Sequence, residues 1–470
     1  MNNMSIAKKQ PGFRMKGVIV LLGASLLGAS LLFALSGCFS PWRGDEGTLT
    51  LSLGRSDSAR AGGNITAENG NFEHEVILEG PSGTISQKFK KGTSSVSFHL
   101  PAGTWNITVR AMGARPDNNG DNHYTDASLG FPEQMLRALG YANDVEIKAG
   151  KTVSKQIPMV TATEVTNWEQ LYFAFSQLSQ NQQAGGKEYI LLAGDAGEIN
   201  IQNTLYVSSD PTLIYNVTLI ADKPITLKRD AISPNSWMLF NVYNGGSLTL
   251  GMPGMKGRLT IDGNGDSPQF LSGTDPIVSI DSSGGSVTID GPVTLTNNKT
   301  TSTSNPNGGA VSMSGGSFTM NSGEITGNTA AGNGGGVYVG GGTFIMNGGE
   351  IAGNSASGNG GGVYVNYSAG ATFAKRGGTI YGRPIGSDSS APGENSASQG
   401  RAVFFDTNGA YLTFLGNGGV PYSMANPFRS ATAGPRDRLH IGQTGSPTGP
   451  QQFTTVDPID GTDTYSNWNK

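Results

Sequence analysis

Three pentapeptides, Asn307-Gly308-Gly309-Ala310-Val311, Asn333-Gly334-Gly335-Gly336-Val337 and Asn359-Gly360-Gly361-Gly362-Val363, recur at a spacing of 26 residues. The order between them is kept as well. Phe318-Thr319-Met320-Asn321 answers to Phe344-Ile345-Met346-Asn347, and Gly323-Glu324-Ile325-Thr326-Gly327-Asn328 to Gly349-Glu350-Ile351-Ala352-Gly353-Asn354. A period in the range of roughly 20 to 50 residues specifies a stack of like units. Each unit here offers three short apolar runs separated by glycine-rich corners, with no helical period, which describes one coil of a parallel β-helix. Each strand then pairs with its counterpart in the next coil, about 4.8 Å along the axis. Side chains one repeat apart lie above one another. The predicted columns are Phe318 over Phe344, Val311 with Val337 and Val363, and two amide ladders, Asn321 over Asn347 and Asn328 over Asn354.

Weaker copies extend the array. Towards the N-terminus they are Val217–Ile220 with Ile225–Leu227, then 238–242 with Ser247–Leu250 and Leu259–Ile261, then 277–280 with Ser286–Ile289 and Val293–Leu295. Towards the C-terminus they are 371–373, 379–381, 402–405 and 412–415. The solenoid is expected over 199–415 as seven or eight coils, on the order of 35 Å of stack. From Gly416 to Lys470 the period is lost, and an irregular C-terminal cap or tail is expected. Upstream, Thr48-Leu49-Thr50-Leu51-Ser52-Leu53 and Thr104-Trp105-Asn106-Ile107-Thr108-Val109 alternate apolar and polar residues. Turn signals between such runs over 48–160 predict an antiparallel sandwich of about seven strands. Thr166-Asn167-Trp168-Glu169 reads as a capping box. It opens a helix whose stripe is Trp168, Leu171, Phe175 and Leu178, and a strand at 188–194 follows. The fold class expected is all-β: a parallel β-helix behind a small antiparallel sandwich, with 164–198 as the cap between them.

Several stretches resemble known families. Gly309-Ala310-Val311 with Phe318-Thr319-Met320-Asn321 is similar to the GGA(I/L/V)…FxxN repeat of polymorphic outer-membrane proteins, over about 60 residues. Gly336 replaces the alanine in the second unit, and Phe373-Ala374-Lys375-Arg376 lacks the asparagine. The helix and strand before the solenoid resemble the N-terminal cap of pectate-lyase-like right-handed β-helices. The stretch Leu100-Pro101-Ala102-Gly103-Thr104-Trp105 resembles a hairpin of prealbumin-like modules. The polymorphic-protein resemblance implies an adhesive surface protein. Members of that family end in an autotransporter barrel, and no run of ten-residue alternating strands precedes Lys470. Another anchor is therefore expected.

The first 37 residues supply one. Lys8, Lys9, Arg14 and Lys16 precede an apolar run from Gly17 to Leu35, with no acidic residue among them. This is the layout of an export signal. Leu35-Ser36-Gly37-Cys38 resembles the lipobox of bacterial lipoproteins. The resemblance implies that Cys38, the chain's one cysteine, takes a diacylglycerol and becomes the lipidated N-terminus of a tether over 38–47. An uncleaved transmembrane helix is the alternative reading of the apolar run. Phe39 after the cysteine points, by the same resemblance, to the outer membrane of a diderm cell, surface exposed or facing the periplasm. Loss of the signal leaves 27 basic against 35 acidic residues, a net charge of −8. That balance speaks against a nucleic-acid partner, whose phosphates are met by clustered Lys and Arg. The partners expected are the membrane, through the lipid, and a glycan or protein ligand.

Chemistry is sparse in the predicted solenoid. The four histidines are His74, His99, His123 and His440, so none falls between 124 and 439. A polysaccharide lyase or glycosidase on this scaffold would need a carboxylate pair, or a Ca2+ site with a basic residue such as Lys256, Arg258 or Lys299. Asp262 and Asp266 form the densest acidic turn and are the weak catalytic candidates there, with Ca2+ as the one cofactor to consider. Glu324 and Glu350 stand one coil apart, about 5 Å in a stacked sheet, a separation that suits a retaining glycosidase pair. A polar turn and solvated neighbours are the plainer readings of the two sets. Tyr338 and Tyr364 could form an aromatic column for sugar rings. A non-enzymatic binding or adhesion rod is the leading expectation, with the lipid-anchored glycan-cleaving enzyme as its alternative.

Overall fold

The computed structural model describes residues 45–53, 72–115, 128–181, 187–194, 197–208, 215–231, 237–268, 274–366, 369–381, 395–398, 403–406, 413–415, 421–423 and 439–442. The N-terminal module consists of β1 (Glu46–Ser52), β2 (Glu73–Gly80), β3 (Gly83–Phe89), β4 (Ser95–Pro101), β5 (Gly103–Ala114), β6 (Gln134–Ile147), β7 (Thr152–Gln156) and β8 (Val160–Val165). One sheet runs β4-β1-β7, and the other begins β3-β2-β5-β6-β8. All pairs are antiparallel except β1 with β7. The alternation seen in the sequence puts Leu49 and Leu51 of β1 and Trp105, Ile107 and Val109 of β5 into one core between the sheets. Trp105 is fully buried, and its Nε1 donates to the Pro101 carbonyl at 3.0 Å. The indole lies flat on Gly80, where a Cβ would come within 2.3 Å of the ring. Glycine at 80 is therefore a packing requirement.

His74 of β2 is the polar exception in this core. It is 2% exposed, and neither ring nitrogen has a hydrogen-bond partner among the described residues. Burial pulls its pKa below the ordinary value, because the charged form loses water and gains nothing in return. The folded chain thus binds fewer protons here than the unfolded chain, and stability falls as pH drops below the unfolded value of about 6.5. Unfolding followed by Trp105 fluorescence should show this loss between about pH 7 and pH 5. A His74→Leu chain should show a flatter profile; equal pH slopes in the two would contradict the assignment.

Beyond β8, helix α1 (Trp168–Asn181) covers the open end of the solenoid with Leu171, Phe175 and Leu178 buried. The cap begins one residue later than the sequence reading placed it. Asn167 Oδ1 accepts from the Gln170 amide at 2.9 Å, while the Gln170 side chain reaches back to the Thr166 amide at 2.8 Å. Asn167 is thus the N-cap, and Gln170 fills the return role that Glu169 was expected to play.

The solenoid has three main faces, all parallel. Face one stacks Glu198–Ile201, Ile225–Arg229, Leu259–Asp262, Val293–Thr296, Glu324–Thr326, Glu350–Ala352 and Thr379–Ile380. Face two runs from Leu205–Ser208 through Phe240–Tyr243, Val278–Ile280, Val311–Met313, Val337–Val339 and Val363–Asn366 to Val403–Asp406 and Leu439–Gly442. Face three begins at β9 (Lys187–Leu192) and continues through Asn216–Ala221, Ser247–Leu250, Ser286–Ile289, Ser317–Met320 and Thr343–Met346 to Thr372–Lys375. A fourth, two-residue strip at Lys299–Thr300, Thr329–Ala330 and Ser355–Ala356 sharpens one corner. Gly308, Gly334 and Gly360 turn the next at φ 76°, 69° and 71°, a region that side chains strain to enter.

Faces one and three each stack seven strands and face two eight, matching the seven or eight coils expected, and the stack makes about 6 full turns. Past Ile380, among the described residues, face two continues through Val403–Asp406 and Leu439–Gly442, and the corner strip continues at Ser396 beside Ser355. Thr413–Leu415, expected as a coil strand, pairs antiparallel with Pro421–Ser423 instead. Inside, Phe318 and Phe344 are paired in register with ring centroids 4.8 Å apart, and Phe373 follows at 4.9 Å. Val311, Val337 and Val363 form the neighbouring column.

The two parts share a sheet. β8 pairs parallel with β9, so the module's sheet and face three form one sheet of twelve strands. The segment 251–258 clasps the junction from outside. Its Met252 and Met255 pack against a small core of Leu136, Leu139, Ala162, Leu191 and Ile220. Asn143 Nδ2 donates to the Pro253 carbonyl at 2.8 Å, and Lys256 pairs with Glu79. Arg110 of β5 meets Glu164 of β8 and, at 3.2 Å, Asp222 from the second coil.

Candidate functional site

The carboxylates singled out in the sequence lie on the outer side of face one. The register Thr260, Thr294, Glu324, Glu350, Thr379 runs down that side, so Glu324 and Glu350 are direct neighbours. Glu324 is already engaged. Arg258 places its guanidinium 3.2 Å from Glu324 Oε2 and donates to Thr294 Oγ1 at 2.7 Å. Both members of this ion pair are about half exposed, at 50% and 42%, so water screens it strongly. A retaining pair needs an open gap between two carboxylates, and here a cation stands beside one of them.

Asp262 closes a turn. Its Oδ1 accepts from the Asn264 amide at 2.7 Å and from Asn297 Nδ2 at 3.0 Å, and Asn264 takes φ 55°. This is an Asx turn cross-linked to the next coil. Asp266 lies in the same loop, and no third acidic, histidine or cysteine side chain joins the two into a metal-sized group among the described residues.

Tyr338 and Tyr364 do stack, at 5.2 Å and 12° between planes, and Phe404 continues the column at 5.5 Å. Tyr364, however, is 5% exposed, and its hydroxyl donates to Asp406 at 2.6 Å. Burial, together with that carboxylate, holds the phenol well above its ordinary pKa. A covered ring cannot receive a sugar, so of this pair only half-buried Tyr338 retains solvent contact.

The amide ladders carry the densest polar geometry. On the surface, Asn347 Nδ2 donates to Asn321 Oδ1 at 2.8 Å, and Asn321 donates onward to Asp290 at 3.2 Å. The second ladder is buried. Asn354 Oδ1 accepts from both the amide and the Nδ2 of Asn328 at 3.0 Å, and Asn328 donates further to the carbonyls of Leu295 and Thr326 at 3.1 Å. Two members escaped the sequence reading. Asn298 stands 30 residues before Asn328, and Asn395 stands 41 after Asn354. Loop insertions there break the 26-residue period that would have exposed them.

At the N-terminal end the ladder stops on a cation. Arg229, 3% exposed, donates from one terminal nitrogen to Asn298 Oδ1 at 3.0 Å and to the Asp275 carbonyl at 3.1 Å. Its Nε donates to Gly263 O at 3.1 Å, and its other terminal nitrogen donates to the Trp237 carbonyl. Gly263 makes room for the Asn298 side chain that meets the guanidinium, since a Cβ there would stand 2.4 Å from that of Asn298. Burial lowers the Arg229 pKa to about 10, against the opposing pull of Asp275, so the guanidinium stays charged at neutral pH. No sequence motif marks it. The one available hint was a basic residue closing the inward alternation of Ile225-Thr226-Leu227-Lys228-Arg229.

Cys38 lies outside the described residues. No family model matches this chain, and neither the curated proteins nor the solved structures contain a match to it.

Proposed function

We propose that this chain is an exported lipoprotein, anchored through Cys38 to the outer membrane, whose solenoid is a stiff, non-enzymatic binding rod of the polymorphic outer-membrane repeat type. The single observation that supports this reading is the unbroken sheet of twelve strands from the N-terminal module into the coils. A module joined to a solenoid by backbone pairing and by the 251–258 clasp cannot swing freely, so it holds the coils at a set angle to whatever anchors it. Bending such a rod means breaking inter-coil hydrogen bonds and the ring and amide columns together. The lateral faces then present repeated side chains at a constant interval, which suits an extended ligand. In the glycan-cleaving alternative, Glu324 and Glu350 serve as the carboxylate pair, and the Arg258 contact to Glu324 weighs against it.

The anchor is tested on cells expressing the full chain. Labelled palmitate should mark the wild type, and a Cys38→Ala chain should lose the label and leave the membrane fraction. External protease should remove the wild-type protein from intact cells. Labelling of Cys38→Ala, or full protection on intact cells, would remove the anchor or the surface placement respectively.

A further inference from the structure

We infer that the corner between faces one and two in the first coil is a binding subsite for a neutral pyranose unit of a glycan chain. Gln202 and Asn203 form the corner after Glu198–Ile201, and Trp237 precedes Phe240–Tyr243 in the next coil. The pairing of Leu205 with Phe240 brings Trp237 to the same corner as Gln202 and Asn203. Between them opens a cleft of about 90 Å3, walled by Gln202, Asn203, Arg229, Asp230 and Trp237.

Trp237 is 45% exposed, yet its backbone is fixed. Its carbonyl accepts from the buried Arg229, Thr204 Oγ1 donates to Met238 O at 2.8 Å, and the Leu205 amide donates to Leu239 O at 2.8 Å. A large indole held in water on a rigid support is a preorganised apolar surface, since little conformational freedom is lost when something covers it. Tyr206, 47% exposed, stands on the outer side of face two in the same two coils, edge-on to Tyr243 at 6.3 Å. The aromatic surface therefore continues past the corner.

The surrounding groups select the ligand. A pyranose has an apolar C–H face and a rim of hydroxyls; an indole covers the first, and amide and carboxylate side chains bond the second. The Arg229 guanidinium is buried among carbonyl oxygens and the Asn298 amide, so it offers little to an anion. With that cation already engaged, the cleft favours an uncharged sugar over a uronate. Pockets that enclose a drug-sized ligand measure roughly 300–1,000 Å3, so this cleft grips the edge of one ring while the chain lies across Trp237. The subsite depends on neither the lipid anchor nor the cellular location, so it and the rod reading can fail separately.

The test titrates the purified full-length chain with neutral cello-, xylo-, malto- and N-acetylated chito-oligosaccharides and, as the charged comparison, oligogalacturonate, following the heat of binding by calorimetry. At least one neutral series should give a saturable isotherm. Trp237→Ala should weaken that binding about tenfold or more, as expected for a tryptophan anchor. Gln202→Ala should weaken it less, and Tyr381→Ala, an exposed aromatic on face one near the far end, should leave it unchanged. Silence of every neutral series, equal titrations by wild type and Trp237→Ala, or preference for oligogalacturonate would each overturn the assignment.

Discussion

Replacing Arg229 with methionine is expected to destabilise the N-terminal coils by about 3–5 kcal/mol, the usual cost of removing one partner from a buried charged network. Methionine fills much of the same space, so the loss measures polar groups left behind more than a cavity. Gly263 O, Trp237 O, Asp275 O and Asn298 Oδ1 all lose a donor. Arg229→Lys should recover part of the loss, because an ammonium keeps the charge but cannot span the same acceptors. Solenoid coils are coupled mainly to their neighbours. Urea denaturation should therefore show the coils near Arg229 melting before the C-terminal ones, and a single unshifted transition in Arg229→Met would deny the arginine its capping role.

Asn328→Ala is the second large effect, at about 3 kcal/mol or more. Each buried group left without a partner costs roughly 1–3 kcal/mol, and this change takes the acceptor from the Asn298 amide and a donor from each of the Leu295 and Thr326 carbonyls. Asn347→Ala in the surface ladder removes a similar side-chain bond to Asn321. Water replaces that bond, so the change should stay within about 0.5 kcal/mol. The paired measurement separates burial from the mere presence of an asparagine column. Equal losses in the two variants would show that stacking, not desolvation, sets the cost.

The same contrast explains what could be read from the chain and what could not. Phe318, Phe344, Val311, Val337, Asn328 and Asn354 were legible because each partner sits at a constant offset of 26 residues, and backbone pairing turns that offset into contact. Asn298 and Asn395 belong to the same ladder but stand behind insertions, so the offset changes and the column disappears from view. Tyr338 and Tyr364 were placed correctly in register, yet their exposure was not legible. Alternation tells inside from outside and says nothing of what folds over the outside, here Asp406 against the Tyr364 hydroxyl. The ion pair beside the candidate carboxylates was hidden for a related reason: Arg258 reaches Glu324 across two coils of unequal length.

By itself, then, the order of residues determined the coil, its inward columns and the apolar stripe of α1, since these follow from local period and from pairing between identical neighbours. Tertiary structure alone decided the shared sheet through β8 and β9, the clasp of 251–258 on the N-terminal module, and the guanidinium that ends the buried ladder. Those contacts join segments with no common period, such as Asn143 to Pro253, 110 residues apart, and Arg229 to Asn298, 69 apart. Only the folded path of the chain brings such groups within bonding distance.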